Sequence, residues 1–416
     1  MSDKQKIKIR INLPIYIFVS FYLFSTIKSF LKGFGFTSDM IWIVMGVFLY
    51  IPLVLYCIKK IRKIFWPNLI LFFAILGYIF NCMSLYSDYS IYSHEVNGIN
   101  ALILTGCSSV FALLFVGLYF DEDSIYDAIN YTAIINFALN LLRLRNLFTL
   151  SAAYLKHGYD MDFGYKELFS CIVFLSIYLR TKKKISLVMS ILSLILLLLF
   201  GSRGPVLCIV TYLFLYFVVF RFKEYDTKKK IKILMLFIFF VFLAYIYYNF
   251  LASMIDFSNL PRSIRSLLNI NYSDGTNESR KMIRNKVYDI INNSGFWGAG
   301  MLSDQAYLGV GRYSHNLFVE FQVTFGKIPG LIISAFLIVR TVFILRDSRI
   351  SDTAKDVYLI FLSLCIRLLV SYSFWYDLNF WCFLAIGNII SYKAQKQKKT
   401  KIEEKGVKNE RLLHSL

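Results

Sequence analysis

The chain alternates long apolar runs with short basic clusters, and the apolar runs have the length that a bilayer selects. A hydrocarbon core is crossed by about 20 residues of helix, and a window of that length predicts about twelve spans. The first four run from Asn12 to Leu31, Met40 to Ile58, Trp66 to Leu85 and Gly98 to Phe120. A fifth, Tyr126 to Leu142, is interrupted by Asn130, Asn136 and Asn140 and is the weakest of the set. The next four cover Gly164 to Leu179, Ile185 to Phe200, Pro205 to Phe220 and Ile231 to Phe250. After a long polar stretch come Ile328 to Leu345, Val357 to Phe374 and Phe380 to Tyr392. The expected fold is an all-α polytopic membrane protein: transmembrane helices over 1–250, a large outer loop over 251–327, further transmembrane helices over 328–392, and a basic tail over 393–416. The tail is Lys-rich and reads as disordered.

The outer loop is far longer than a structureless connection in a compact protein, so it is expected to be partly folded and functional. Asp274-Gly275 makes a turn, and Thr276 or Asn277 can cap a helix. Met282, Ile283, Val287, Ile290 and Ile291 then recur with helical period, until Gly295 ends the helix. Arg280 and Arg284, four apart, share one of its faces.

Positive residues set the orientation. The clusters are Lys4 to Arg10, Lys59 to Lys63, Arg180 to Lys184, Arg221 to Lys232, Arg346 to Arg349 and the tail from Lys393. With about twelve spans they all fall on one side, which makes both termini cytoplasmic. The acidic Asp121-Glu122-Asp123 turn falls on that side too, but acidic residues carry little topological weight. The same parity puts Gly201-Ser202-Arg203-Gly204 in a tight outer turn. Leu251 to Lys327, Ser87 to Asn97 and Arg143 to Asp162 are then outside as well.

Composition narrows the function. The residues are 57% hydrophobic and 17% charged, which excludes an ordinary soluble domain. The net charge of +20 lies in short clusters between apolar runs, so no extended basic surface is left for nucleic acid. Seven cysteines fall in or at the ends of apolar runs without CxxC or Cys/His spacing, so neither a disulfide framework nor a metal site is expected, and no cofactor is implied. The first run lacks a small-residue cleavage site and reads as a retained helix. No inverted pair of Gly/Pro-broken helices points to a secondary transporter. The Lys, Ile, Asn and Tyr bias is that of an AT-rich bacterial genome.

Four basic residues converge on the outer face: Arg203, Arg280, Arg284 and His315. Arginine suits a diphosphate, because its planar fork donates two hydrogen bonds and stays charged. Arg203 lies between Ser202 and Gly204, where backbone N–H groups can also approach an anion, and Pro205 fits the first turn of the next helix. The competing reading is an arginine reaching lipid headgroups. His315 has the residue type of a general base, with Ser314 as the expected helix cap and a helix N-terminus that disfavours imidazolium. A hydrogen-bonded structural histidine is the competing reading there. Arg367 lies inside an apolar run, where it needs a partner in the bundle, with Glu167 the candidate, or else must reach the interface.

These residues resemble the bacterial O-antigen polymerase/ligase family, which includes capsule repeat-unit polymerases. The likeness rests on Gly201-Ser202-Arg203-Gly204 between two apolar helices, and on Arg280 followed eighteen positions later by Gly298-Ala299-Gly300. Its third element is His315-Asn316-Leu317-Phe318-Val319-Glu320, with Gly326 and Gly330 beyond it. Arg284 where an aromatic is usual, a Gly326–Gly330 segment one residue longer, and the lack of proline before Gly298 depart from the common pattern. The resemblance implies a GT-C-type, metal-independent glycosyltransferase of the bacterial cytoplasmic membrane. Its donor and acceptor would be polyprenyl-diphosphate-linked oligosaccharides, and its partners would be membrane lipids and other polysaccharide-export or chain-length-control proteins. It makes His315 the base and has Arg203 and Arg280 stabilise the departing diphosphate. Arg284, Ser202, Gly204, Asn316, Glu320 and Arg367 are the expected substrate-binding residues. A repeat-unit polymerase is the expected activity, with a ligase of the same family or a lipid-linked oligosaccharide flippase as the alternatives.

Overall fold

The computed structural model describes residues 13–32, 48, 51–85, 107–118, 122–149, 161–200, 203–221, 276–309 and 312–413, with a few positions between 225 and 235. Outside them lie about half of the expected second and fourth spans, nearly all of the ninth, the turn residues Gly201 and Ser202, the outer segment Ser87 to Asn97, and 251–275 of the loop. Every element among the described residues is helical. In chain order these are α1 (Leu13–Lys32), α2 (Ile51–Lys59), α3 (Trp66–Leu85), α4 (Cys107–Val110), α5 (Ala112–Leu118), α6 (Glu122–Thr149), α7 (Met161–Thr181), α8 (Lys184–Phe200) and α9 (Arg203–Phe214). There follow α10 (Thr276–Asn293), α11 (Ser303–Leu308), α12 (Leu317–Phe325), α13 (Lys327–Arg346), α14 (Asp352–Cys365) and α15 (Leu378–Leu413).

By length and hydropathy α13 can cross a membrane, and shorter apolar helices cover Phe18–Leu31, Trp66–Cys82, Lys184–Leu198 and Gly204–Phe220. The facing of side chains is more telling. On α8, Ile185, Val188, Ile191, Leu192 and Ile195 point outward, while Ser186, Ser190 and Ser193 are buried. On α13, Ile332, Phe336, Val339 and Phe343 are exposed and Gly330 and Ser334 are buried. Large apolar groups outside with small or polar groups inside is the reverse of a helix in water. It is the arrangement that lipid favours, since close backbone packing and hydrogen bonds then hold helices together.

The weakest expected span is a continuous helix. α6 runs 28 residues, about 42 Å of axis, straight through its asparagines. Two of them turn inward: Asn136 donates to Lys166 O (2.9 Å) and Ser170 Oγ (2.8 Å), and accepts from Thr26 Oγ1 (2.9 Å). Asn140 donates to the Glu167 carboxylate at 2.7 Å. Polar residues that look like breaks in hydropathy are here the contacts joining α1, α6 and α7.

Three expectations need correction. The run Val357 to Phe374 is not one span: α14 stops at Cys365, passes through a 3₁₀ turn (Ile366–Leu369), and gives way to a buried non-helical stretch before α15. The break lies at Arg367, whose Nε donates to Asp377 Oδ2 at 2.6 Å, so Asp377 and not Glu167 is its partner. Asp377 is fully buried, and removing one partner of such a pair costs about 3–5 kcal/mol. The tail read as disordered is helical to Leu413, because α15 continues unbroken through it. The span expected over Pro205 to Phe220 does reach Phe220, its last part as a π-helical stretch (Leu215–Phe220), with Arg221 N donating to Tyr216 O at 2.9 Å.

The bundle has two chemically distinct ends. At one, Arg180 from the end of α7 donates to Thr353 Oγ1 (2.6 Å), and Arg221 after α9 pairs with Asp352 (2.9 Å) at the start of α14. At the other, the first turns of α7 and α9 meet the C-terminal turn of α14. A Cβ on Gly204 would lie 3.0 Å from Tyr165 Cζ, and the Arg367 guanidinium lies 5.5 Å from the Tyr165 ring.

Candidate functional site

The site is built on α10, α11 and α12, which cap the second end of the bundle. α10 buries the stripe its sequence predicts: Val287 and Ile291 pack with Leu308 of α11 and Val323 of α12, with Ile283, Ile290 and Val319 at the margin. Met282 does not join that stripe and is 63% exposed. Gly295 follows the helix, and Ser294 N closes its last turn on Ile290 O at 2.8 Å.

Gly298-Ala299-Gly300 then docks on the C-terminal end of α12. Ala299 N donates to Val323 O (2.8 Å) and Gly300 N to Thr324 O (3.3 Å). Gly298 and Gly300 both have positive φ, 77° and 93°. A Cβ on Gly298 would fall 2.7 Å from the Val323 and Thr324 carbonyls, and one on Gly326 would strike the Phe296 carbonyl. Two glycine motifs far apart in sequence therefore form one contact. Gly330 repeats the device between α12 and α13, with the Gln322 backbone N 2.5 Å from where its Cβ would be.

His315 lies at the opposite end of α12. It has a left-handed backbone (φ 55°), rare for a residue with a Cβ and a feature of functional turns. Asn316, not Ser314, caps the helix, its side-chain oxygen accepting from Phe318 N (3.0 Å) and Val319 N (3.3 Å). The carboxamide is a better acceptor at this register because Asn316 is the residue with extended backbone immediately before the helix. The turn is tied down by Asp304 of α11, which accepts from Ser314 N (2.8 Å) and Gln305 N (2.9 Å). Asp304 is buried, and burial pushes its carboxyl above the usual range. Sequence reading missed Asp304 because no spacing rule links it to His315.

From His315 a row of rings and cations crosses to the Arg203 turn. The His315 ring lies 4.4 Å from that of Tyr313 at a tilt of 53°, and the Tyr313 hydroxyl lies 3.3 Å from Ser371 Oγ. Tyr313 meets Tyr372 at 6.4 Å, and the Arg367 guanidinium sits 4.7 Å from the Tyr372 ring. The row then runs from Arg367 to Tyr165 and Gly204, the residue after Arg203. Tyr165, Tyr313, Tyr372 and Asp377 are site residues that sequence reading did not single out.

The other expected residues divide. Glu320 is buried, accepting from Ser373 Oγ and Phe374 N (3.2 Å); it holds the 370–377 stretch against α12. Burial, then the nearby Asp304 carboxylate, raise its pKa well above the usual range. Arg284 is exposed on α10. The backbone makes Arg203 the first residue of α9 and puts Arg280 in the second turn of α10, while their side chains and all of Ser202 lie outside what is described. Ile283, three residues past Arg280, joins the same small core as Val319, four past His315. A separate cavity of about 670 Å³ lies by the last turns of α10 and does not include His315. Among the described residues no group of His, Cys, Asp and Glu could hold a metal ion.

Residues 188–335 match the family model described as O-antigen ligase, a stretch running from α8 through the Arg203 turn and His315 into α13. No curated protein and no solved structure matches the chain. Members of the matched family are glycosyltransferase-like membrane enzymes acting on lipid-linked polysaccharide. Over residues 188–335 this helical chain is therefore similar to the O-antigen ligase family, in the stretch that holds the Arg203 turn and His315.

Proposed function

We propose that the chain is a repeat-unit polymerase that moves a growing glycan from polyprenyl diphosphate to a hydroxyl of an incoming lipid-linked repeat unit. The reaction belongs on the outer face of the cytoplasmic membrane. His315 takes the proton from the acceptor hydroxyl as its oxygen attacks the anomeric carbon. The bond from that carbon to the diphosphate oxygen breaks, and polyprenyl diphosphate leaves. Arg203 and Arg280 neutralise the charge that develops on it, the largest new charge of the reaction. Arg284, Ser202 and Gly204 line the diphosphate side, and Arg367, held by Asp377, supplies a further fixed cation. Asn316 and Glu320 act through the shape of the His315 turn.

One observation carries this reading: the continuous row from His315 through Tyr313, Tyr372, Arg367 and Tyr165 to Gly204. It joins the base to the Arg203 turn at one end of the bundle, opposite the Arg180 and Arg221 pairs. A flippase would need charges along a path through the bundle, whereas these cluster at one end. A ligase is the second reading, because the matched model is described by that activity.

The test is polysaccharide gel analysis of a deletion strain complemented with His315→Ala or Arg203→Ala. Each variant is expected at normal membrane level with polymer lowered by about 10²–10⁴-fold for the base and single repeats accumulating. Free long chains without attachment would favour the ligase. Wild-type polymer from His315→Ala would end the proposal.

A further inference from the structure

The cavity beside the last turns of α10 has no part in the chemistry above. Its lining includes Lys286, Asp289, Ile290 and Asn293 of α10, Tyr307 of α11, and Ser294, Gly295, Gly298 and Ala299 of the turn between them. It is a half-open cleft of about 670 Å³, within the roughly 300–1,000 Å³ of clefts that take small ligands.

Its chemistry is selective. Lys286 and Asp289 face the same space, so their charges offset, and a diphosphate entering it would meet a like charge beside its single cation. The Asp289 carboxylate and the Asn293 carboxamide, four residues apart, offer planar pairs of hydrogen-bonding atoms. Tyr307, 59% exposed, adds an aromatic face. A ring with hydroxyls around its edge and C–H bonds on its face satisfies both kinds of surface at once.

The position fits as well. Gly298 of the lining abuts the C-terminal end of α12, and His315 precedes its N-terminal end. The nine residues of α12 span about 13 Å. Tyr307 is about one helical turn from Asp304, which fixes the His315 turn.

We propose that this cavity is a saccharide subsite that holds sugar residues of the glycan remote from the reacting bond. The proposal rests on the reading that the chain transfers a glycan. The probe is the oligosaccharide released by mild acid from the lipid-linked fraction of the strain that carries the chain. Its binding to the full chain in lipid nanodiscs is measured by calorimetry, with inorganic pyrophosphate as competitor. Saturable binding is expected, weakened roughly tenfold or more in Tyr307→Ala and in Asp289→Ala, unchanged in Met282→Ala, at a position exposed on α10 away from the lining, and not displaced by pyrophosphate. In cells the Tyr307 and Asp289 variants should make shorter polymer. No binding by the wild type, full binding by both variants, or displacement by pyrophosphate would each overturn the subsite. Undiminished polymer from His315→Ala would instead overturn the transfer reading, and the two failures are told apart because binding is measured without turnover.

Discussion

Glu320 sits 2% exposed, with the Ser373 hydroxyl and the Phe374 N–H donating to it. Burial and the neighbouring Asp304 both favour its protonated form, so the folded protein holds this proton more tightly than the unfolded chain does. The folded state therefore binds more protons, and stability must fall as pH rises from the ordinary carboxylate range toward the raised folded value. Glu320→Gln keeps an acceptor oxygen and removes the ionisation. The variant is expected to match the wild type near pH 5 and to unfold at higher temperature than it near pH 8, read by thermal unfolding in detergent. Identical pH dependence in the two proteins would show that Glu320 is not the titrating group.

At the level of elements, the contact between Gly298 and Gly326 sets how the outer helices sit on the bundle. Gly298→Ala places a methyl against backbone atoms that cannot swing aside, at a φ that L side chains avoid. The cost should exceed the roughly 1 kcal/mol of unfavourable φ alone, so the 276–309 region is expected to become protease-sensitive in membranes while α13 stays protected; unchanged digestion would contradict the packing. Much of this layer was legible beforehand. The apolar period of α10, the end at Gly295 and the boundaries of α3 and α8 follow from local pattern, and local pattern is what periodicity reports. What was not legible depends on partners distant in sequence. The inward asparagines of α6 look like breaks until α7 supplies Lys166, Glu167 and Ser170. The end of α14 at Cys365 is set by Arg367 reaching Asp377, and Asn316 displaced Ser314 as cap by a two-residue difference in register. Asp304 had no signal, since its partner is a backbone N–H.

For the molecule as a whole, the positions of the basic clusters make a claim about topology that accessibility can decide. Arg180 and Arg221 bind Thr353 and Asp352 at one end of the bundle, while Gly204, Arg367 and His315 gather at the other. Positively charged loops are retained in the cytoplasm, so the proposed reading has the first end inward and the His315 end outward. Among the described side chains Cys82, Cys171, Cys208, Cys365 and Cys382 are buried, and replacing Cys57 and Cys107 by serine removes the two others as a source of background labelling. A cysteine introduced as Trp297→Cys, on an exposed residue of the α10–α11 turn, should then react with a membrane-impermeant maleimide in intact spheroplasts. One introduced as Lys183→Cys, in the exposed turn between α7 and α8, should react only after permeabilisation. Labelling of Lys183→Cys but not Trp297→Cys in intact spheroplasts would put the His315 turn on the wrong side for an outer-face transfer. Because the reaction needs its two lipid-linked substrates on the same side as the base, that result would remove the polymerase and ligase readings together.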